Sequence, residues 1–305
     1  MKKYIFVIAL LATVFMSSCG FSFETTLEVD PPPHDPEIVV HTFIKPNDTI
    51  INAGITRSYG LLDNTGDFDE RFLNDATVEI FQQGELKYTL ESKVDNYDFQ
   101  FTGINYCLSF NEPVGGLGDS FEIKVSHPDY PSVRAVQYMP KEAVPLTSAK
   151  FDEDGGIGDE GERLNSIDLT FTDPADEENY YEIYIAYRDE STPGEVNFFD
   201  IRVETNDPNI QRGNTFNSFL LDDLAINGSE YTLNLQLDND YADNMYVIFR
   251  SVSRDWYLYS RSARDFREGS DFGTFAEPVT VHRNIDGGLG VFAAGVEHLM
   301  KVEEE

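Results

Sequence analysis

The chain has 305 residues, of which 22 are Lys or Arg and 55 are Asp or Glu, so its formal net charge at pH 7 is −33. A protein that binds the phosphates of a nucleic acid needs a basic surface, and this composition excludes that class. A hydrophobic content of 41%, with 23 Phe and 16 Tyr, is too apolar for a disordered acidic chain and favours strands over helical bundles.

Residues 1–18 have the pattern of a lipoprotein signal peptide. Lys2 and Lys3 precede a mostly apolar run at 4–16, which is shorter than the roughly 20 residues that cross a bilayer. The run ends in Met16-Ser17-Ser18-Cys19, where small residues stand before a cysteine. We therefore expect cleavage before Cys19 and acylation (palmitate) of its thiol. The alternative is an ordinary secretory signal, which would leave Cys19 as an incidental thiol.

An acyl anchor accounts for membrane attachment better than surface charge does. An acidic surface is repelled by anionic headgroups, whereas each buried CH₂ of an acyl chain contributes about 0.8 kcal/mol. Residues 19–36 contain Pro31-Pro32-Pro33, which predicts a stiff, extended spacer between the anchor and the folded part of the chain.

Residues 37–142 are predicted to form a first domain of short strands. Within Phe121-Glu122-Ile123-Lys124-Val125 apolar and charged residues alternate, as in a strand with one buried face. The predicted strands cover 37–44, 49–57, 76–82, 86–91, 104–110, 121–127 and 133–138. Their spacing is typical of an immunoglobulin-like sandwich. The polar segment 60–74 is expected to be a long loop.

Residues 143–305 are predicted to form a second β-sandwich that includes one helix. Trp256, Tyr259, Ala263 and Phe266 recur at helical spacing, which predicts a short amphipathic helix over 253–266. The predicted strands cover 165–172, 180–187, 197–205, 215–221, 230–237, 245–253, 279–283 and 290–294. The last two flank Asp286-Gly287-Gly288, a hairpin-turn signature. The predicted fold is therefore all-β, with two immunoglobulin-like β-sandwich domains in tandem and one short helix in the second.

The densest acidic run covers residues 152–162, and a hard cation such as Ca²⁺ would relieve its charge repulsion. Compared with an EF-hand loop beginning at Asp152, the run has Gly156 at position five and Arg163 at position twelve, where the loop needs acidic or amide ligands. A solvated loop between the domains is the preferred interpretation, and no metal is assigned. Calcium at a site of another kind stays as the alternative, with Asp152, Asp154 and Asp159 as its candidate ligands.

No catalytic motif is present in the sequence. The five histidines form no His-Glu-x-x-His pattern, and there is no Gly-x-Ser-x-Gly or Gly-x-x-x-x-Gly-Lys-Ser/Thr motif. Cys107 lies on a predicted strand, where we expect a buried structural thiol. Four phenylalanines predicted to lie in or beside loops can either form a binding surface or fill the core: Phe68, Phe72, Phe198 and Phe199.

Several segments together resemble a known family. They are Ile38-Val39-Val40-His41-Thr42-Phe43-Ile44, His127-Pro128-Asp129-Tyr130-Pro131, Asn179-Tyr180-Tyr181-Glu182-Ile183, Leu221-Asp222-Asp223, Trp256-Tyr257-Leu258-Tyr259, Phe275-Ala276-Glu277-Pro278-Val279 and Asn284-Ile285-Asp286-Gly287-Gly288-Leu289-Gly290-Val291-Phe292. This series is similar to a Bacteroidota family of lipoproteins that carry a domain of unknown function and are typically encoded beside TonB-dependent receptors. The resemblance implies an accessory lipoprotein anchored in the outer membrane, and it brings no catalytic residues.

Three functions follow from these observations. The leading hypothesis is a non-enzymatic lipoprotein that docks on a TonB-dependent receptor and assists substrate capture or uptake. The second is a free-standing surface binder of a glycan or divalent cation, and the third is a hydrolase whose cleft has no recognisable motif. The residues after Cys19 lack the dense acidic cluster that is often associated with surface export of Bacteroidota lipoproteins. The sequence therefore does not decide whether the chain faces the periplasm or the medium.

Overall fold

The computed structural model describes residues 34–60, 63, 68–93, 103–158, 161–175, 177–192, 196–214, 217–237, 243–271 and 279–304. Within these residues the chain forms eighteen β-strands, two short 3₁₀ helices and one α-helix. The strands build two open sheets. The prediction of an all-β sandwich fold with a single helix is confirmed.

The described residues of the first half form seven strands: β1 (Ile38–Ile44), β2 (Ile50–Arg57), β3 (Thr77–Gln82), β4 (Glu85–Ser92), β5 (Tyr106–Ser109), β6 (Ser120–His127) and β7 (Tyr130–Tyr138). Buried and exposed residues alternate along β6 and β7, which gives each strand one face in the core. The β3–β4 hairpin turns at Gln83-Gly84, where both residues have positive φ, as a two-residue type I′ turn requires.

The second half contains the remaining elements: β8 (Leu146–Ile157), β9 (Arg163–Thr172), β10 (Tyr180–Asp189), β11 (Asn197–Ile201), β12 (Val203–Glu204), β13 (Gln211–Arg212), β14 (Phe219–Asp222), β15 (Glu230–Leu237), β16 (Met245–Val252), α1 (Arg254–Asp271), β17 (Leu289–Lys301) and β18 (Glu303–Glu304). The 3₁₀ helices are Phe68–Arg71 and Asp223–Ala225.

The long strand β17 joins the two halves in one 13-stranded sheet. Its first part pairs in parallel with β1, and its second part pairs antiparallel with β16. The strand order is β13-β14-β10-β16-β17-β1-β2-β5-β4-β3-β6-β7, with β11 beside β10. The second sheet has the order β12-β15-β9-β8-β18.

Two main hydrophobic cores result from this arrangement. The first is built from residues between Ile38 and Met139, together with Phe292, Ala294 and Val296 of β17. The second lies between the two sheets. There the ring centroid of Phe171 is 5.2 Å from that of Tyr181 and 4.8 Å from that of Phe249. Along the chain the two cores divide between Ala143 and Val144, except that β17 borders both.

The helix α1 packs on the opposite face of the large sheet, which we call the outer face. Trp256 and Tyr257 are buried there against Val291 and Ala293 of β17. The helix continues to Asp271, five residues beyond its predicted end. Phe266, which was predicted to lie on the packed stripe, is 55% exposed. This part of the prediction was wrong because the stripe follows the first turns only.

Two further predictions of local structure were wrong. The acidic run at 152–162 was expected to be a loop, but β8 continues through Ile157 and pairs with β9 across a bulge between Asp152 and Gly156. The predicted strand at 279–283 is not formed. Asp286 instead makes an isolated bridge with Arg134, so Asp286-Gly287-Gly288 does not turn a hairpin.

Candidate functional site

A cleft of about 330 Å³ lies where the two halves meet, and we call it the junction cleft. Its walls come from the end of β7 and the following linker, from the segment before β10, and from the connection between β16 and α1. Tyr138 is 66% exposed at its rim. Lys141 forms an ion pair with Glu177 at 3.5 Å, and the Tyr180 hydroxyl donates to a Glu178 carboxylate oxygen at 3.0 Å.

The junction cleft is lined by serines that bond to the backbone and by aromatic and charged side chains. Its two serines are engaged by the backbone: Ser251 Oγ accepts from the amide of Val144 at 3.0 Å, and Ser253 Oγ accepts from the amides of Trp256 and Ala294. Neither hydroxyl is bonded to a general base in these contacts. Tyrosine faces beside carboxylates and an ammonium group are suited to a small polar ligand.

A partly buried ionic cluster cross-links three strands on the outer face. Arg250 on β16 lies directly opposite Glu182 on β10 and Glu297 on β17. Its guanidinium donates to both carboxylates at 2.8 Å and lies 4.7 Å from the ring centroid of Tyr184. Lys45, the residue after β1, adds a second cation 3.4 Å from Glu297.

The opposite charges in this cluster stabilise one another. Burial alone would raise the pKa of Glu297, but Arg250 and Lys45 together outweigh it and hold that pKa below its usual range. Burial opposes the charge on Arg250, yet Glu182, Tyr184 and Glu297 raise its pKa. Every charged group named here therefore has an oppositely charged partner within the cluster. This indicates a structural role, in which the cluster holds neighbouring strands of the sheet together.

A second surface lies on β11, where Phe198, Phe199 and Asp200 form what we call the edge surface. The strand pairs with β10, and no second neighbour is found for it among the described strands. Phe198 is 39% exposed and Phe199 is 57% exposed. The Phe198 ring lies edge-on to Tyr246, with 5.9 Å between the ring centroids. An exposed apolar edge strand of this kind is a template for pairing with another chain.

Two histidine–aspartate pairs have a structural explanation. His282 Nε2 lies 2.6 Å from Asp255 Oδ1 at the start of α1, and Gln137 Nε2 donates to the other oxygen of that carboxylate at 2.9 Å. His127 Nε2 lies 2.7 Å from Asp75 Oδ1, and its Nδ1 accepts from the amide of Asp129. Both pairs tie neighbouring segments together.

The calcium candidates are only partly described. Asp152 and Asp154 lie at the bulge of β8, and Asp159 is outside the described residues. Arg163 Nη1 donates to the Asp154 carbonyl oxygen at 3.2 Å. Across the part of the chain that the structure describes, no three His, Cys, Asp or Glu side chains are grouped to hold a metal ion. Calcium binding stays the alternative interpretation of this run.

The other predicted site residues are placed as follows. Cys19, the predicted lipid anchor, and the Phe68 side chain are outside what the structure describes. Phe72 is buried, whereas Phe198 and Phe199 are exposed, so the phenylalanines divide between the two interpretations. Cys107 is a free, half-buried thiol on β5. Among the described helices, none is long and apolar enough to cross a membrane.

Sequence reasoning missed the ionic cluster, although a signal for it exists. Arg250 stands in Met245-Tyr246-Val247-Ile248-Phe249-Arg250-Ser251-Val252, a strand that is otherwise almost entirely apolar. A single charge in a strand buried on both faces requires a partner. The carboxylates that pair with Arg250 are determined by the order of the strands in the sheet. The local sequence pattern does not reveal that order.

The comparisons with known proteins give a family and little more. The model of a family described as "Domain of unknown function (DUF4249)" matches residues 24–298. No curated protein matches the chain. A solved structure titled "Biofilm associated protein - B domain" matches over 87% of this chain and 85% of its own, at 7% identity and a TM-score of 0.18. A similarity this low carries no argument about the fold or the function.

Proposed function

Since the chain belongs to the DUF4249 family, whose description names no activity, we propose that it is a non-enzymatic accessory lipoprotein of the outer membrane. In this proposal Cys19 carries the lipid anchor, and the folded part docks on a TonB-dependent receptor to assist the capture or uptake of its substrate. The proposal joins the signal-peptide pattern of residues 1–18 to the family resemblance found in the sequence.

The observation that carries the docking role is the edge surface. Phe199 is 57% exposed on a strand whose other edge meets no strand among the described residues. An exposed apolar strand at the edge of a sheet promotes aggregation, so native proteins usually cover such strands or place charged side chains on them. A permanent partner that covers β11 accounts for two adjacent exposed phenylalanines. The bonded serines of the junction cleft and the structural histidine pairs support a role without catalysis.

Affinity purification tests this proposal directly. The tagged, lipidated chain is recovered from gently solubilised outer membranes after mild crosslinking. We expect a β-barrel receptor in a stoichiometric amount, and its loss from a variant carrying Phe198→Asn and Phe199→Asn. Leu224→Asn is the matched control, since Leu224 is 88% exposed in the 3₁₀ helix after β14. Recovery of the lipoprotein alone would contradict the proposal.

A free-standing glycan binder is the second candidate, and the junction cleft favours it. The exposed ring of Tyr138 beside Glu177 and Glu178 offers an apolar platform with hydrogen-bonding groups. Titration of a panel of oligosaccharides by calorimetry tests it. Binding that is lost in Tyr138→Ala and kept in Leu86→Ala, an exposed residue on β4, would support this candidate. Heat signals that stay flat across the panel would remove it.

A further inference from the structure

We infer that β11 accepts an added β-strand from its partner, and that the added segment is extended, places a basic residue beside Asp200 and places an apolar residue beside Phe199. The inference rests on the proposed docking function and specifies its chemistry. The sites of contact are the backbone of Asn197–Ile201 and the three side chains of the edge surface.

The backbone of β11 supplies the first step. The strand β10 occupies one edge of β11, with Ile185 opposite Ile201 at one end of the pairing and Asp189 opposite Asn197 at the other. In a β-strand the amide and carbonyl groups of alternate residues point to opposite edges, so the second edge of β11 retains its own donors and acceptors. No described strand pairs with that edge. A strand added there would satisfy these groups, as in known complexes formed by β-augmentation.

The side chains supply the second step, because they differ between the two faces of β11. Phe199 lies opposite Tyr187 of β10 and on the same face as the buried Ile201. Asp200 lies opposite Ala186 on the outer face, which it shares with Phe198. Neighbouring residues of an added strand alternate between the same two faces. An apolar residue therefore meets Phe199, and the residue next to it meets Asp200.

Charge supplies the third step. Two neighbouring cations already have carboxylate partners: Arg188, opposite Phe198, pairs with Glu190, and Arg202, two residues after Asp200, pairs with Glu204. Partial burial raises the pKa of Asp200, and Arg250 lowers it only in part. Asp200 thus gains from a cation that an incoming strand brings.

The same charges argue against two other occupants. A second copy of this chain carries its own net charge of −33, which repels the first copy. An anionic membrane surface is repelled for the same reason. The chemistry therefore selects a peptide segment that alternates apolar and basic residues.

The test begins with a displayed library of linear seven-residue peptides, selected against the whole mature chain. We expect enrichment of peptides in which apolar and basic residues alternate. Phe199→Glu should weaken binding of the selected peptide about fivefold, the scale of one lost cross-strand pair. Asp200→Lys should shift the selection towards acidic peptides, while Leu224→Lys should leave binding unchanged. Enrichment of acidic peptides by the native chain, or no enrichment, would overturn the inference.

Backbone N-methylation of the selected peptide separates strand addition from simple apolar contact. Methyl groups on alternate amides remove either the hydrogen bonds that face β11 or those that face solvent. We expect one methylated set to abolish binding and the other to retain it. Equal binding by both sets would show that β11 forms no ladder with the peptide, and the inference would fail.

The failures of the inference and of the proposed function are distinguishable. If the receptor co-purifies equally well with Phe199→Glu and with the native chain, the docking function stands and the role of β11 is wrong. If no receptor co-purifies with either chain while the selected peptides behave as expected, the receptor partnership is wrong and the peptide-binding strand stands.

Discussion

The substitution Gly290→Ala tests the junction between β1 and β17. Gly290 lies opposite Val40 in the parallel pair and has a φ of +96°. A Cβ added there would lie 2.0 Å from the Val40 carbonyl oxygen and 2.9 Å from its carbonyl carbon. The neighbouring atoms belong to the backbone, so rotation of a side chain cannot relieve the contact, and the two strands must separate.

The expected cost has two parts. Placing a non-glycine residue in the left-handed region costs about 1–2 kcal/mol. Separating β1 from β17 at this point breaks ladder hydrogen bonds worth about 1 kcal/mol each and opens the packing of Phe292 and Ala294 against the first core. We therefore expect Gly290→Ala to lower the free energy of unfolding by about 3 kcal/mol or more.

The matched control is Gly84→Ala in the β3–β4 turn. Gly84 has a φ of +81° but no atom within 4 Å of an added Cβ, so it bears only the conformational cost of about 1–2 kcal/mol. Urea unfolding followed by the fluorescence of Trp256, the single tryptophan, measures both variants. Equal losses of stability in the two variants would refute the reasoning about the β1–β17 contact.

Three further predictions concern single side chains. Trp256→Ala should cost about 3–5 kcal/mol, because Trp256 is 6% exposed and packs edge-on to Phe43. Urea unfolding followed by circular dichroism measures the loss, since this variant lacks the tryptophan probe, and proteolysis within α1 should become faster. Glu297→Gln should flatten the acid side of the stability curve, measured by thermal melts from pH 7 to pH 3. The pKa of Glu297 is held low in the folded chain, so its stabilisation is present above the unfolded pKa of about 4.3 and is lost as pH falls through the folded pKa. Tyr106→Phe should cost roughly 1–3 kcal/mol at neutral pH, since the hydroxyl donates to the carbonyl oxygens of Leu73 and Ala76 at 2.9 Å. Burial raises the pKa of Tyr106 to about 12, so its stabilisation is lost as pH rises from the unfolded pKa of about 10. Between about pH 10 and about pH 12, Tyr106→Phe should therefore lose less stability than the native chain, as measured by chemical unfolding. The same dependence of stability on pH in both chains would contradict this assignment.

Local patterns predicted the strands that keep a regular period. Along β6 and β7 each side-chain position alternates between core and solvent, so the sequence and the structure agree. They disagree at β8, where Asp152-Glu153-Asp154-Gly155-Gly156 has the composition of a loop. A bulge absorbs these residues while β9 continues to pair on both sides of it, and Asp154 takes a φ of +63° there. Pairing with a neighbour thus overrode local propensity.

The opposite error arose at residues 279–283. Val279 and Val281 alternate with polar neighbours and therefore imitate a strand. In the fold this segment leads from α1 to β17, and His282 is held by Asp255 through its ring and by Ser262 through its backbone amide. The pairing of β1 with β17 was equally invisible, because the register Val39–Leu289 spans nearly the whole chain.

The sequence predicted only part of the two candidate surfaces. Phe198 and Phe199 were predicted either to bind a partner or to fill the core, and their exposure depends on β11 having one neighbour among the described strands. The junction cleft is assembled from three distant segments, around Tyr138, Tyr180 and Ser253. Distances between such segments are set by the tertiary fold, so no motif marks them.

The position of β17 in the sequence also affects how the chain folds as it is synthesised. Because Phe292 and Ala294 belong to the core built from residues 38–139, that core lacks one wall until β17 has been synthesised. The early strands keep apolar surface uncovered until this partner, which pairs Leu289 with Val39, is available. Contacts between residues so far apart in sequence slow folding and favour aggregation of incomplete chains. A product truncated before Leu289 loses a wall of both cores together, so neither half can complete its core without β17.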